Sequence, residues 1–325
     1  MPQPTPLVSI LVPCCNVERY LHQCMDSIIS QTLRDIEIIC LNDGSSDNTL
    51  AILREYEAKD DRVIVIDKAN TGYGSTMNLG LDMARGKYVA IIESDDYIEP
   101  SMMQTLTDAA EENRLDLARC LYVERNEITG KDKTVHYHFK DLYGQVINPV
   151  EHQEVFLIAP SIWVGLYRRE FLNSNDIRFL ETPGASYQDT SFAFKVYAVA
   201  ERVMFIPEIL HNYRINSNSS VNSPQKLYYV CTEEEEIRRY AKEHGVYEEL
   251  CATMARRCFG SYTWNYNRMG TMALKREFMR RWSYELRGLF RNGDIRREHM
   301  KWNRYRRLWQ IAWCPWIYYF TRKIW

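Results

Sequence analysis

Three carboxylates, Glu93, Asp95 and Asp96, stand directly after an apolar run at residues 87–92. Such a cluster must stay solvated or gather a cation. Hard divalent ions such as Mg²⁺ and Mn²⁺ favour carboxylate oxygens and leave positions for substrate phosphates. On spacing alone, a solvated acidic turn ahead of Pro100 reads equally well. A second acidic loop, Asn42-Asp-Gly-Ser-Ser-Asp47, favours the cation reading. There the Asp43-Gly44 turn offers a carboxylate to a base or a ribose, whereas Ser46 and Asp47 read more simply as helix caps. Thr71-Gly-Tyr-Gly74 lets backbone at Gly72 approach a ligand closely. It lacks both the P-loop spacing and a full GxGxxG, which argues against an ATPase or a dinucleotide enzyme. Asp189 follows a glycine-containing turn, Pro183-Gly-Ala-Ser-Tyr-Gln188, at a helix start. It reads as a cap or as a positioned general base.

The elements that must position these residues alternate. Apolar runs at 7–13, 36–41, 62–67 and 87–92 have strand character, and helical spacing covers 17–31, 49–58 and 76–84. On 17–31 the apolar face is Tyr20, Leu21, Cys24, Ile28 and Ile29. The alternation predicts an α/β fold with a mostly parallel sheet and helices on both faces. Ligands of such sheets bind beyond the carboxyl ends of the strands. Residues 13–16, 42–45, 68–74 and 93–96 all follow strand ends and should gather on one rim. Short segments at 117–123 and 135–139 suggest antiparallel additions. A helix is predicted at 187–200, strands at 202–206 and 209–213, and a polar linker at 216–224. From 225 onward the pattern is helical almost throughout until Pro315.

The segment Val8-Ser-Ile-Leu-Val-Pro-Cys-Cys-Asn-Val-Glu-Arg-Tyr-Leu21 closely resembles the opening of family 2 glycosyltransferases. Asp26-Ser-Ile-Ile-Ser-Gln-Thr32, Asn42-Asp-Gly-Ser-Ser-Asp47, Asn78-Leu-Gly-Leu81, Gly86-Lys-Tyr88 and Glu93-Ser-Asp-Asp-Tyr97 follow in the family's order and spacing. The likeness extends through Trp163 to Phe171, with Leu166-Tyr-Arg-Arg-Glu-Phe171, and through Gln188-Asp189 to about residue 220. It implies a GT-A fold that moves a sugar from a nucleotide donor, expected to be a UDP-sugar, to an acceptor hydroxyl. It also places the nucleotide at Pro13, Asn16, Asp43, Gly72 and Asp95. A divalent cation, Mn²⁺ or Mg²⁺, is implied at Asp95 with Asp96 and Glu93 as helpers, and Asp189 is implied as the catalytic base. Three positions depart from the family pattern. Asn42 replaces the first of two aspartates, Glu93 the first aspartate of the D-x-D motif, and Gln188 the acid before the base. They leave room for a rival reading, a non-catalytic protein that binds sugar nucleotides or acts as a scaffold.

With 43 acids against 41 bases, the net charge of −2 looks neutral. It is not evenly spread. Residues 261–325 hold 15 Lys+Arg and 4 Asp+Glu, a net of +11, and the first 260 residues hold the rest, 26 bases and 39 acids, a net of −13. Seven of the eight tryptophans lie in the basic stretch. Trp302, Tyr305, Trp309, Ala312/Trp313, Trp316 and Phe320 recur at helical spacing, although Pro315 should interrupt the helix. Aromatic residues beside basic ones suit an anionic membrane surface. Packing against the catalytic part or a second copy of the chain, as a homodimer, is the alternative. Nucleic acid is not expected, because the catalytic half is acidic. The apolar run at 308–320 is too short to span a bilayer, and Met1 to Pro6 shows no secretion signal. Nine scattered cysteines read as reduced thiols.

Together these features predict two parts. A GT-A domain covers 1–220, with a nucleotide half at about 7–100 and an acceptor half at about 101–220. A helical extension covers 221–325. The expected role is glycan or lipid-linked acceptor extension in surface polysaccharide or lipopolysaccharide assembly. The expected place is the cytoplasm, at the inner face of the cell membrane.

Overall fold

The computed structural model describes residues 5–215 and 228–319. The linker expected at 216–224, the helix start expected at 225 and Phe320 lie outside them. The chain divides into two compact units, Met1–His152 with Ala159–Ser220, and Gln153–Ile158 with Val221–Trp325. The short helical turn Gln153–Leu157 thus belongs with the C-terminal helices, where Gln153 Oε1 accepts a 2.5 Å hydrogen bond from Thr253.

The first unit runs β1 (Val8–Cys14), α1 (Glu18–Ile29), β2 (Ile36–Asp43), α2 (Thr49–Lys59), β3 (Val63–Lys68), α3 (Tyr73–Met83) and β4 (Tyr88–Ile91). It continues with β5 (Tyr97–Ile98), α4 (Met102–Asn113), β6 (Leu117–Asn126), β7 (Lys133–Val135), β8 (Val146–Ile147), β9 (Gly165–Arg168), α5 (Arg169–Ser174), α6 (Gln188–Val199) and β10 (Val203–Ile215). One sheet has the order β3-β2-β1-β4-β9-β6-β10-β5, with β7 on β6 and β8 on β10. β3, β2, β1 and β4 pair in parallel. β9 is inserted antiparallel between β4 and β6, so β6 and β10 run the same way as β4. β1 and β2 are buried along their whole length, which fits their largely apolar sequences, and the polar residues they carry are bonded.

Two expectations change here. The segment at 117–123 is not an antiparallel addition, because β6 shares the main strand direction and β9 is the reversed one. The segments at 202–206 and 209–213 form one strand, β10, whose register against β6 shifts between Phe205 and Ile209. Pro207 lies in that shift, where a missing N–H costs no ladder bond.

A polar lock closes the amino ends of the strands. Ser9 and Glu37 are register partners on β1 and β2, both buried. Glu37 accepts from Ser9 Oγ at 2.6 Å, Arg85 N at 2.8 Å and Arg85 Nε at 2.8 Å. Ser9 Oγ in turn accepts from Gly86 N at 2.8 Å. A Cβ on Gly86 would come within 2.6 Å of Ser9 N, so only glycine fits this turn.

The second unit contains α7 (Tyr229–Glu243), α8 (Tyr247–Arg268), α9 (Met272–Arg291), α10 (Trp302–Trp313) and α11 (Trp316–Tyr319). Its core holds Tyr262, Phe278 and Trp282, whose rings pack at 5.4–6.3 Å. Trp282 is therefore a core residue. α10 buries Leu308, Ile311 and Ala312, and Ser283 of α9 bonds the Ala312 carbonyl at 2.8 Å. The helix stops at Cys314, ahead of Pro315. Trp302, Trp309, Trp313 and Trp316 stay 53%, 45%, 40% and 58% exposed. Among the described residues no helix is long and apolar enough to cross a membrane.

Replacing Glu37 by Ala leaves Ser9 Oγ and Arg85 N without their acceptor. Urea unfolding of Glu37→Ala is expected to show a loss of about 2–4 kcal/mol, and an unchanged midpoint would refute the lock.

Candidate active site

The strand ends meet as the parallel topology requires. Asn16, just after β1, has φ 54° and turns its amide toward the loop after β2. Its Oδ1 accepts from Ser46 N at 2.8 Å, and its N–H donates to Ser45 Oγ at 3.0 Å. Pro13 is buried one residue before the end of β1, opposite Leu41. Asp47 is a cap: it accepts from Thr49 N at the start of α2 and from Glu18 N at the start of α1.

Asp43 is 5% exposed and is held from three directions. Lys68 Nζ and Thr71 N donate to Oδ1, and Gly72 N donates to Oδ2 at 3.1 Å. Burial alone would raise this carboxyl, but the bonds from Lys68 and Thr71 prevail and hold it below the usual range. Lys68 is the parallel-register partner of Asp43 on β3. The sequence put residue 68 on this rim without a role, and only the β2–β3 register reveals its pairing with Asp43. The same register explains Asn42. It faces Asp67 and donates to it at 2.7 Å. An aspartate here would set two carboxylates against each other.

The three acids after β4 do not form one cluster. Asp96 is fully buried, with Oδ1 accepting from Arg214 N at 2.7 Å and Oδ2 2.9 Å from His211 Nε2. Burial pushes Asp96 up to about 8 and His211 down to about 3, which favours the uncharged pair. This differs from the expectation that Asp96 would help to hold a cation: the register of β5 against β10 turns it into the sheet. Glu93 is half-buried and accepts from Tyr73 hydroxyl at 2.6 Å. Burial pushes its carboxyl up to about 8 against the Tyr73 bond, and Asp95, Asp96 and Asp189 push the same way. Asp95 is half-buried, and Arg214 Nε bonds its carbonyl at 2.7 Å. Among the described residues no group of three or more His, Cys, Asp or Glu side chains stands ready to cage a metal.

Asp189 lies in the first turn of α6, after Tyr187 with φ 69°. Its charge reaches Glu93, Tyr73 and Tyr213, so the structure brings it beside the loop after β4. A close backbone contact sets this position. Tyr73 N donates to Gly184 O at 3.0 Å, a Cβ on Gly72 would lie 3.0 Å from Gly184 N, and one on Gly74 would lie 1.9 Å from Leu180 O. The glycines of Thr71–Gly74 therefore admit the segment that leads into α6. Gln188 binds that segment internally. Its Nε2 donates to Thr182 Oγ1 at 2.9 Å and Gly184 O at 3.1 Å, while its Oε1 accepts from Ser186 N at 2.6 Å.

Residues 9–174 match the model of glycosyl transferase family 2, and the chain belongs to that family. It is 37% identical over 233 residues to the uncharacterized glycosyltransferase EpsJ of Bacillus subtilis, covering 68% of this chain and 64% of that one. It is 36% identical to the putative glycosyltransferase EpsH of the same organism, covering 69% and 65%. The aligned region thus spans less than two thirds of either relative. Among solved structures, S. aureus TarS 1–349 in complex with UDP-GlcNAc superposes with a TM-score of 0.68 at 21% identity, over 86% of this chain and 80% of that one. The mannosyltransferase PcManGT of Pyrobaculum calidifontis, in complex with GDP-Man and Mn²⁺, reaches 0.53 at 12% identity, over 99% and 89%. These likenesses show the fold, which is GT-A with a helical C-terminal region.

Gln188→Glu would set a carboxylate against the Thr182 and Gly184 oxygens. At neutral pH it is expected to cost about 1–3 kcal/mol in denaturant unfolding. The introduced carboxyl has a raised folded pKa, so the deficit should shrink as pH falls toward about 4–5 and the acid regains an O–H donor. A deficit that does not depend on pH would refute the role given to Gln188.

Proposed function

We propose that this chain is a metal-dependent inverting glycosyltransferase, moving a sugar from a nucleotide-sugar donor to the hydroxyl of a glycan or lipid-linked acceptor. The observation that carries the reading is the contact of Tyr73 with both sides of the site, which lie about a hundred residues apart in sequence: its N–H bonds Gly184 O, in the turn that leads to Asp189, and its hydroxyl bonds Glu93. A UDP-sugar donor is supported by the UDP-GlcNAc held by TarS.

Asp95 is the residue that would hold Mn²⁺ or Mg²⁺ together with the donor diphosphate. The donor chemistry fits, because carboxylate oxygens are hard and suit such ions. When bound, the cation neutralises charge growing on the leaving diphosphate. Glu93 braces the turn through its bond from the Tyr73 hydroxyl, and Asp96 positions it through His211 and Arg214. Asp43 acts on the nucleotide through the Thr71–Gly72 loop that it holds, with Pro13 and Asn16 at the edge of the same cradle. Asp189, with the amino end of α6 behind it, takes the proton of the attacking hydroxyl. With Asp95 committed to the diphosphate, Asp189 serves as base in a single displacement, and the anomeric centre inverts.

The exposed row Trp302, Trp309, Trp313 and Trp316, with Lys301 and Arg306 exposed beside it, supports peripheral attachment to an anionic membrane. Attachment at the cytoplasmic face would bring the enzyme to a lipid-linked acceptor in surface polysaccharide or lipopolysaccharide assembly.

A nucleotide-sugar panel read by thermal shift, with and without Mn²⁺, is expected to single out one donor. Asp189→Asn should lower turnover by at least about 10²-fold while keeping donor affinity. Asp95→Ala should lose the Mn²⁺-dependent part of that affinity. Full turnover in the first variant would refute the base. No hydrolysis or transfer with any donor would favour a non-catalytic nucleotide-binding protein. For the tail, changing the four exposed tryptophans to alanine should abolish sedimentation with anionic vesicles and leave helical circular dichroism intact. Undiminished vesicle binding would remove the membrane role.

A further inference from the structure

Trp163 is half-buried and takes no part in the donor-side loops. The β4–β9 ladder sets Ala90 opposite Leu166. Trp163 itself sits in a short 3₁₀ turn, Ile162–Val164, that leads into β9 and packs against β4. Its indole lies parallel to the Tyr213 ring, with centroids 4.9 Å apart and an interplanar angle of 2°. It also covers His211 at 4.3 Å, and Tyr122 meets it edge-on at 4.6 Å. Tyr213 precedes Arg214, which bonds Asp95 O through its side chain and Asp96 Oδ1 through its backbone. Burial pushes the Tyr213 hydroxyl up, and Asp96, Asp95 and Asp189 add to it, so the ring stands within reach of all three charges.

The sheet order gives this aromatic wall its side. Asn16, Asp43 and Lys68 follow β1, β2 and β3, on one flank of β4. β9 and β10 lie on the other flank. A nucleotide held by the first three loops, with its diphosphate at Asp95, sends its sugar across β4 toward Trp163. A flat aromatic face bordered by carboxylates matches a pyranose. Axial C–H groups pack on the negative ring face, and the hydroxyls reach the acids at its edge.

We propose that Trp163, backed by Tyr213, is the platform on which the acceptor pyranose stacks, with its attacking hydroxyl turned to Asp189. This assignment rests on the glycosyltransfer reading above. Trp163 touches substrate without entering the chemistry, and it determines which sugar ring is accepted.

The test is saturation-transfer NMR with a panel of methyl pyranosides, run with UDP and Mn²⁺ and again without them. UDP affinity is measured on the same samples. The wild type should transfer saturation to at least one glycoside. Trp163→Ala should weaken that glycoside by about tenfold or more, equal to about 1.4 kcal/mol, with UDP affinity within about twofold. Trp163→Phe, which keeps a ring against Tyr213, should fall between the two. Three results would overturn the platform: unchanged glycoside affinity in Trp163→Ala, a parallel loss of UDP affinity, or no glycoside contact in the wild type. A wild type that binds no UDP would instead remove the glycosyltransfer reading, and the titration without UDP still decides the platform.

Discussion

Arg214 and the buried Asp96 hold the rim of this sheet together. The turn after β4 carries three acids, and left alone their mutual repulsion would open it. Instead Asp96 is drawn into the sheet by His211 and the Arg214 backbone, and the Arg214 guanidinium grips the Asp95 carbonyl, Glu127 and Gln23. A carboxyl group with no exposure is tolerable here because each oxygen has a partner and burial favours its uncharged form. The bonds cross more than a hundred residues of sequence and join β10 to the loop after β4. Asp95 faces outward at the rim because its neighbour faces inward.

A second constraint brings the remaining acid into place. The glycines at 72 and 74 let the 180–187 segment pass against the start of α3, at distances that no Cβ could share. Gln188 then fastens that segment with one acceptor and one amino group, a combination that a glutamate lacks at neutral pH. Asp189 follows in the first turn of α6, where the helix end favours negative charge. The base candidate is thus positioned by backbone contact and the preceding amide.

The helical unit follows a different logic. Its aromatic residues divide between two environments. Trp282 closes a core with Tyr262 and Phe278, while the tryptophans of α10 and α11 remain outside, because Leu308, Ile311 and Ala312 supply the face that packs on α9. Periodicity alone reads them as one stripe. The tertiary contacts show that the helix has two apolar faces: the aliphatic one is buried on α9, and the aromatic one meets α9 at Phe290, through Tyr305 and Trp313.

Much of this was legible in the residues themselves. The largely apolar runs of β1 and β2 announced buried parallel strands, and the rule that ligands meet strand carboxyl ends put residues 13–16, 42–45, 68–74 and 93–96 on one rim, of which Asp96 turned inward. Local signals also identified Asp189 and the glycine loop, because turn chemistry is written in adjacent residues. What only the tertiary structure decided were contacts made across the sheet: Lys68 on Asp43, Asn42 on Asp67, Tyr73 on Glu93, and His211 with Arg214 on Asp96. Their partners lie 20 to 118 residues away. Periodicity specifies which face a residue occupies, but not which residue of another strand it meets. That depends on register, and register separated Asp95 at the rim from Asp96 inside the sheet.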